Sequence, residues 1–183
     1  MRILVTGSAG HLGEALVRTL LNTSHDVVGL DLLQSKFTNQ TGSIVDRDFV
    51  KRCMEGVDAV LHAATLHKPH VGTHSRQSFI DTNITGTLNL LEEAALAGVR
   101  AFIFTSTTSA FGRALTPAPG APAAWITDRA RNELGWRPVY DFQRVLDRLR
   151  AGQDPRSPLA RAVGSKGYHA AAFTDGPYPT ETQ

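Results

Sequence analysis

The sequence has a single cysteine, Cys53, so it cannot form a disulfide within the chain. This excludes a disulfide-stapled secreted scaffold and suggests a reducing, cytoplasmic setting. Long hydrophobic runs are also missing. None approaches the roughly 20 residues that a membrane-spanning helix needs, so no membrane partner is expected. Ile3-Leu4-Val5 follows Met1-Arg2, but Gly7, Ser8 and Gly10 break the run too early for a signal peptide. An excess of one charge is lacking as well. Nineteen Lys and Arg against 17 Asp and Glu leave a net charge of +2. No clustered basic face is visible, so no nucleic-acid partner is expected. There is no internal repeat. What remains is an ordinary globular composition, 42% hydrophobic and 20% charged over 183 residues. That length suits one domain, or one and a fraction, and can bury a core without metals or cross-links.

The first half alternates short β-rich runs with helical patterns. Strands are predicted over Arg2 to Thr6, His25 to Asp31, Gly42 to Asp46, Asp58 to Ala64 and Arg100 to Ser106. A helix from His11 to about Asn22 places Leu12, Ala15, Leu16 and Leu20 on one face. A short helix over Asp48 to Glu55 stops at Gly56, and a long one over Arg76 to Ala97 stops at Gly98. Alternation of this kind implies α/β architecture: a doubly wound parallel sheet with helices on both faces. The texture changes after Gly112. Thr116 to Ala124 holds three of the nine prolines and reads as a loop. A short helix over Asp128 to Leu134 stops at Gly135. An amphipathic helix over Asp141 to Ala151 carries Phe142, Val145, Leu146 and Leu149, with Asp141 as N-cap. Gln153 to Gln183 lacks periodicity and is expected to be a tail, partly ordered at best.

The most informative stretch is Thr6-Gly7-Ser8-Ala9-Gly10-His11-Leu12-Gly13, set between a predicted strand and a predicted helix. Gly7 allows a tight turn, Gly10 lets the backbone approach a pyrophosphate, and Gly13 permits close packing of helix on strand. Free N–H groups at the helix start, with the helix dipole behind them, favour an anion. The spacing is G-x-x-G-x-x-G. Asp31 ends the second strand, eighteen positions after Gly13. An acid there accepts hydrogen bonds from an adenosine ribose and repels a 2′-phosphate, which favours NAD over NADP.

These residues resemble the extended short-chain dehydrogenase/reductases, the NAD-dependent epimerase/dehydratase group. The resemblance runs from Met1 to about Ile126. It implies a Rossmann-like sheet of about five strands in the order 3-2-1-4-5, with Gly7, Gly10, His11, Leu12 and Gly13 in the cofactor motif. Asp46 matches the acid that hydrogen-bonds the adenine amino group. His62-Ala63-Ala64 matches a run in which Ala63 and Ala64 line the cofactor. Asn83-Ile84-Thr85-Gly86-Thr87 matches the family's N-x-x-G-T, which adds Asn83 to the cofactor-binding set. Thr105 to Gly112 matches the segment after strand five, where Phe111 replaces a usual Tyr and Thr107 falls on the catalytic Ser/Thr position. The implied activity is an oxidoreductase, epimerase or dehydratase reaction on a nucleotide sugar or a related hydroxyl or keto compound.

The family's chemistry also needs a tuned Tyr with a Lys four residues on. This chain has Tyr140, Tyr168 and Tyr178, followed at that distance by Arg144, Ala172 and Thr182. The pair is absent. Ala130 to Pro138 resembles a segment from the far end of the family's substrate domain. The chain therefore reads as residues 1–125, a dinucleotide-binding domain, joined to residues 126–183, a short helical remnant of the substrate domain with its tail. An internal deletion would have removed the Tyr and Lys. Strand five should then expose an apolar edge, which leaves either a marginal domain or a homodimer. A catalytically inactive NAD-binding module is the alternative reading, and a product without a selected function is a third. His62, His67, His70 and His74 lie close in sequence, but no Cys accompanies them and no carboxylate stands at metal spacing, so no metal is expected. His67, Lys68 and His70 either line the cofactor mouth, stay solvated or touch substrate.

Overall fold

The computed structural model describes residues 1–106, 128–164 and 166. Two compact units emerge, one from Met1–Thr105 with Ala162–Gln183, the other from Ser106–Arg161.

The first unit is a five-stranded sheet in the order β3-β2-β1-β4-β5. Its strands are β1 (Arg2–Thr6), β2 (Asp26–Asp31), β3 (Gln40–Thr41), β4 (Ala59–His62) and β5 (Ala101–Phe104). Every neighbouring pair is parallel. Alternation along β1 sends Leu4 to one face and Ile3 and Val5 to the other. Leu4, Val28, Leu30 and Val60 form one core with Val50 and Met54 of α2 (Arg47–Cys53) and its end, and with Leu90 and Ala94 of α4 (Thr87–Leu96). Ile3, Val5 and Ala59 form the other with Val17 of α1 (His11–Leu20) and Phe37. Both faces are thus covered, as a parallel sheet requires.

Three sequence expectations change. The third strand is Gln40–Thr41, not Gly42 to Asp46. Ile44 is buried in the core, but the Ile44 and Val45 carbonyls accept from the Asn89 side-chain amide, at 3.1 and 3.0 Å, instead of from a strand. Asp46 consequently does not end a strand. It is the N-cap of α2, accepting from the Phe49 N–H at 3.0 Å. The buried residues of α1 are Gly13, Glu14 and Val17, with Leu16 and Leu20 packed at the margin, while Leu12 is exposed. The long helix is also interrupted. It starts as α3 (Arg76–Ile80), passes through a π-helical stretch at Asp81–Gly86 and continues as α4. Gly56, Gly98 and Gly135 follow their helices in the left-handed conformation, as expected of stop signals.

β5 pairs only with β4 among the described strands, and Ile103 and Phe104 are 60% and 53% exposed. The apolar edge anticipated from the sequence is present. The second unit contains α5 (Asp128–Leu134) and α6 (Phe142–Arg150), the latter capped by Asp141, which accepts from the Arg144 N–H at 2.8 Å. A further helix, α7 (Pro158–Val163), stands in the stretch for which the sequence shows no period.

Candidate dinucleotide site

The C-terminal ends of β1, β2 and β4 meet at one rim of the sheet, where open α/β sheets bind ligands. β1 ends at Thr6, and the chain turns through Gly7 at φ +74°. A β-carbon at Gly7 would sit 2.8 Å from the Ala64 nitrogen, so only glycine lets β1 and the segment after β4 come this close. The Gly7 N–H donates to the Leu30 carbonyl at 2.8 Å, and the Gly10 N–H to the Gly7 carbonyl at 2.9 Å. α1 then begins. A β-carbon on Gly13 would lie 1.9 Å from the Gly7 carbonyl oxygen, so the helix rests directly on the loop. Gly10 offers no side-chain cap. The first-turn N–H groups of His11, Leu12 and Gly13 are therefore the donors an anion would meet. Gly10, His11 and Leu12 are exposed, so that mouth is open. The cradle fits a pyrophosphate: open donors, a helix dipole and no side chain filling the approach.

Asp31 ends β2 beside this loop. One carboxylate oxygen accepts from the Ala9 N–H at 3.0 Å, the other from the Leu33 N–H at 2.9 Å. These bonds hold the acid at the rim in one orientation. Ser8 is fully buried, and its hydroxyl pairs with Thr38 at 2.9 Å, which in turn pairs with Ser35. The loop after β2 is thereby tied to the glycine loop.

Beneath Ala63 and Ala64 lies a buried polar knot. The Thr6 hydroxyl oxygen accepts from the Ala63 and Ala64 N–H groups, both at 3.2 Å. Its own proton is then left for His62 Nδ1, 2.7 Å away. Nδ1 is the acceptor, so Nε2 carries the imidazole proton and donates to the Thr87 hydroxyl at 3.0 Å. His62 is 2% exposed, and burial pushes its pKa down to about 4. This histidine fixes the rim through Thr6 and Thr87; among the described residues no group of three or more His, Cys, Asp and Glu could hold a metal ion.

The linkage has a definite sign. Between the unfolded value of about 6.5 and the folded value, only the unfolded chain takes up a proton at this residue. His62 should therefore withdraw up to about 3 kcal/mol of stability as pH falls from about 6.5 towards 4. Urea unfolding at pH 7.5 and pH 5 should show about 2 kcal/mol of that loss, and His62→Gln should flatten it. An unchanged slope in the variant would contradict the buried neutral state.

Asn83 lies in the π-helical stretch and grips the segment after β4. Its Oδ1 accepts from the Leu66 N–H at 2.8 Å, and its Nδ2 donates to the Leu66 carbonyl at 2.7 Å. The π turn brings this amide to the loop, a placement that a regular helical pattern could not announce. Asn83 thus acts on the site by fixing Thr65 and Leu66. Gly7, Gly10, His11, Leu12, Gly13, Asp31, Ala63 and Ala64 are gathered at the rim, Asn83 braces it, and Asp46 caps α2. Thr107 lies outside the described residues. Sequence reasoning missed Thr6, Ser8 and Thr87, whose hydroxyls are ordinary until their partners are placed.

The geometry agrees with known proteins. Residues 3–127 match the NAD dependent epimerase/dehydratase family. UDP-glucose 4-epimerase of Erwinia amylovora is 38% identical over 129 residues, covering 61% of this chain and 38% of that protein. Sterol demethylase protein B of Methylococcus capsulatus is 37% identical over 155 residues, covering 79% of this chain and 44% of that protein. The chain thus spans less than half the length of these curated relatives. A short-chain dehydrogenase/reductase superfamily protein from Agrobacterium tumefaciens, solved with bound NAD, superposes with a TM-score of 0.57 at 34% identity, covering 62% of this chain and 34% of that one. A family match over most of the chain, with a sheet that superposes on such a structure, leads to one conclusion: this protein belongs to the NAD dependent epimerase/dehydratase family.

Proposed function

We propose that this chain binds NAD, its pyrophosphate on the first-turn N–H groups of α1 and its adenosine ribose on Asp31. The observation that carries this reading is the β1–α1 junction, where Gly7 and Gly13 leave no room for a side chain and Gly10 leaves the approach open. Relatives crystallised with NAD support it. When bound, NAD would supply a hydride acceptor for a hydroxyl carbon. The chain's own residues bind and orient it: the N–H groups neutralise phosphate, Asp31 selects a free 2′-hydroxyl, and Asn83 holds the segment after β4 in place. Asp46 supplies the proposed adenine contact, and Thr107 the proposed hydrogen bond to the reacting oxygen.

The lineage points to an oxidoreductase, epimerase or dehydratase acting on a nucleotide sugar or a related hydroxyl or keto compound. A second reading, a non-catalytic NAD-binding module, is favoured by one specific observation. None of Tyr140, Tyr168 and Tyr178 has a Lys four residues on. The family match ends at residue 127, which supports a dinucleotide domain over 1–125 joined by an internal deletion to a remnant over 126–183. Homodimerisation and a cytoplasmic setting belong to the same proposal. Ile80, Ile84, Leu88 and Leu91 are exposed at intervals of four, four and three along the interrupted helix, a stripe suited to a second copy.

Calorimetric titration tests the cofactor reading. NAD should bind saturably, one per chain, and about tenfold or more tightly than NADP, because Asp31 repels a 2′-phosphate. No saturation at millimolar NAD, or a preference for NADP, would overturn it.

A further inference from the structure

β3 ends at Thr41, and the chain then leaves the sheet. The Gly42 N–H donates to the Asp31 carbonyl at 2.9 Å, so the departing segment starts beside the acid proposed for the ribose. The Val45 N–H donates to the Ser43 hydroxyl and the Asp46 N–H to the Ser43 carbonyl, both at 3.1 Å. Asp46 itself is exposed. One of its carboxylate oxygens accepts from the Phe49 N–H at 3.0 Å, and the other has no hydrogen-bond partner among the described residues. That second oxygen is open to an N–H donor of a ligand.

One face of α4 holds this segment in place of a strand. Gly86, Asn89 and Glu93 follow one another at intervals of three and four, which puts them on one side of the helix. A β-carbon at Gly86 would lie 2.5 Å from Ile44 Cγ1, so helix and segment touch there. Asn89 is 7% exposed, and its amide donates to the Ile44 and Val45 carbonyls at 3.1 and 3.0 Å. Glu93, 4% exposed, accepts from Arg47 Nε at 2.7 Å, and Glu92 from Arg47 Nη1 at 2.6 Å. These contacts fall on residues 44, 45 and 47 and so bracket Asp46. The bond to the Val45 carbonyl is the decisive one. That carbonyl shares a rigid peptide plane with the nitrogen and α-carbon of Asp46, so whatever fixes it also fixes where the Asp46 side chain starts.

We propose that Asn89 is a positioning residue for the base end of the dinucleotide site. Through the Ile44 and Val45 carbonyls it holds Asp46 towards the amino group of adenine, and so sets the preference for adenine over a base with a carbonyl at that position. This rests on the adenine contact proposed for Asp46 above and names what makes that contact selective. An adenine amino group donates to the carboxylate. Hypoxanthine presents a carbonyl oxygen there instead, and a carboxylate, which only accepts, repels it. Such selectivity needs a carboxylate kept in one place, because one that can swing aside tolerates either base.

Calorimetric titration of the full chain with NAD and with nicotinamide hypoxanthine dinucleotide gives the readout, which is the ratio of the two affinities. Partial unfolding lowers both affinities alike and leaves their ratio alone, so a merely structural role for Asn89 would not move it. The parent should favour NAD about tenfold or more. Asn89→Ala should reduce that preference to about threefold or less. Asn89→Ser, whose hydroxyl cannot span both carbonyls, should do the same and decides the matter where the alanine variant does not fold. In an Asp46→Ser background, which keeps an N-cap for α2, Asn89→Ala should change the ratio no further. A parent preference that survives in the Asn89 variants, or an Asn89→Ala effect that persists without Asp46, would overturn the proposal and leave the dinucleotide reading standing. Equal affinities in the parent would overturn it too, because Asp46 would then read no base. A parent that binds neither dinucleotide ends the cofactor reading, and the proposal with it.

Discussion

Gly13→Ala should abolish measurable NAD binding and lower stability by about 3 kcal/mol or more. The added methyl carbon would lie 1.9 Å from the Gly7 carbonyl oxygen, 2.5 Å from the Gly7 carbonyl carbon and 2.9 Å from the Ser8 α-carbon. All three are backbone atoms, so no rotamer change relieves the clash. The loop would have to lift off α1, and with it the Gly7 N–H bond to Leu30 and the Ala9 N–H bond to Asp31. Gly98→Ala is the matched control. It too places a methyl on a glycine, at φ +71°, but nothing lies within 4 Å of the new carbon. Its cost should stay near 1 kcal/mol, the strain of the left-handed conformation alone. Equal losses in the two variants, by thermal or urea unfolding, would refute the close-approach account of the cradle.

The second large effect concerns turnover. The chain should bind NAD and yet oxidise no hydroxyl substrate at a family-like rate. A positioned general base contributes about 10²–10⁴-fold to a proton-coupled step, and this sequence has no Tyr with a Lys four residues on to supply it. Thr107 cannot take over, because an unperturbed hydroxyl is too weak an acid to serve as that base. Following the near-ultraviolet absorbance of reduced nicotinamide against nucleotide sugars and hydroxysteroids should give rates at background. Thr107→Ala should leave them unchanged. A robust rate that Thr107→Ala removes would show that the chain has rebuilt the proton path from other groups, and the second reading would fall.

Most of the fold was legible because the signals were redundant. β1, β2 and β4 are short, largely apolar runs, β1 closed by Gly7 and β2 by Asp31, and the glycines between β1 and α1 sit at the spacing a phosphate loop demands. The sheet order follows from parallel strands joined by right-handed crossovers. β3 was misplaced because it is only Gln40–Thr41, two polar residues with no period to read. Its apolar neighbour Ile44 faces the core without being a strand, since the Asn89 amide satisfies the carbonyls there. The π-helical stretch escaped for a related reason: it accompanies the grip of Asn83 on Leu66, a contact between segments seventeen residues apart. The ion pair of the buried Glu14 with Lys166 was hidden too, because no local pattern links residues 152 positions apart.

The site divides in the same way. Gly7, Gly10, Gly13 and Asp31 were legible because each has a local steric or electrostatic requirement. Thr6, Ser8 and Thr87 were not, because a hydroxyl becomes structural only once a buried partner faces it. His62 drew notice as one of several histidines, and its neutral, Nε2-protonated state became visible only with Thr6 and Thr87 beside it.

The most direct measurement is a crystal structure of this chain grown with NAD. The account predicts one dinucleotide per chain, with its pyrophosphate within hydrogen-bond distance of the His11, Leu12 and Gly13 N–H groups and its adenosine ribose on Asp31. NAD absent at millimolar concentration, or bound away from the β1–α1 junction, would contradict it.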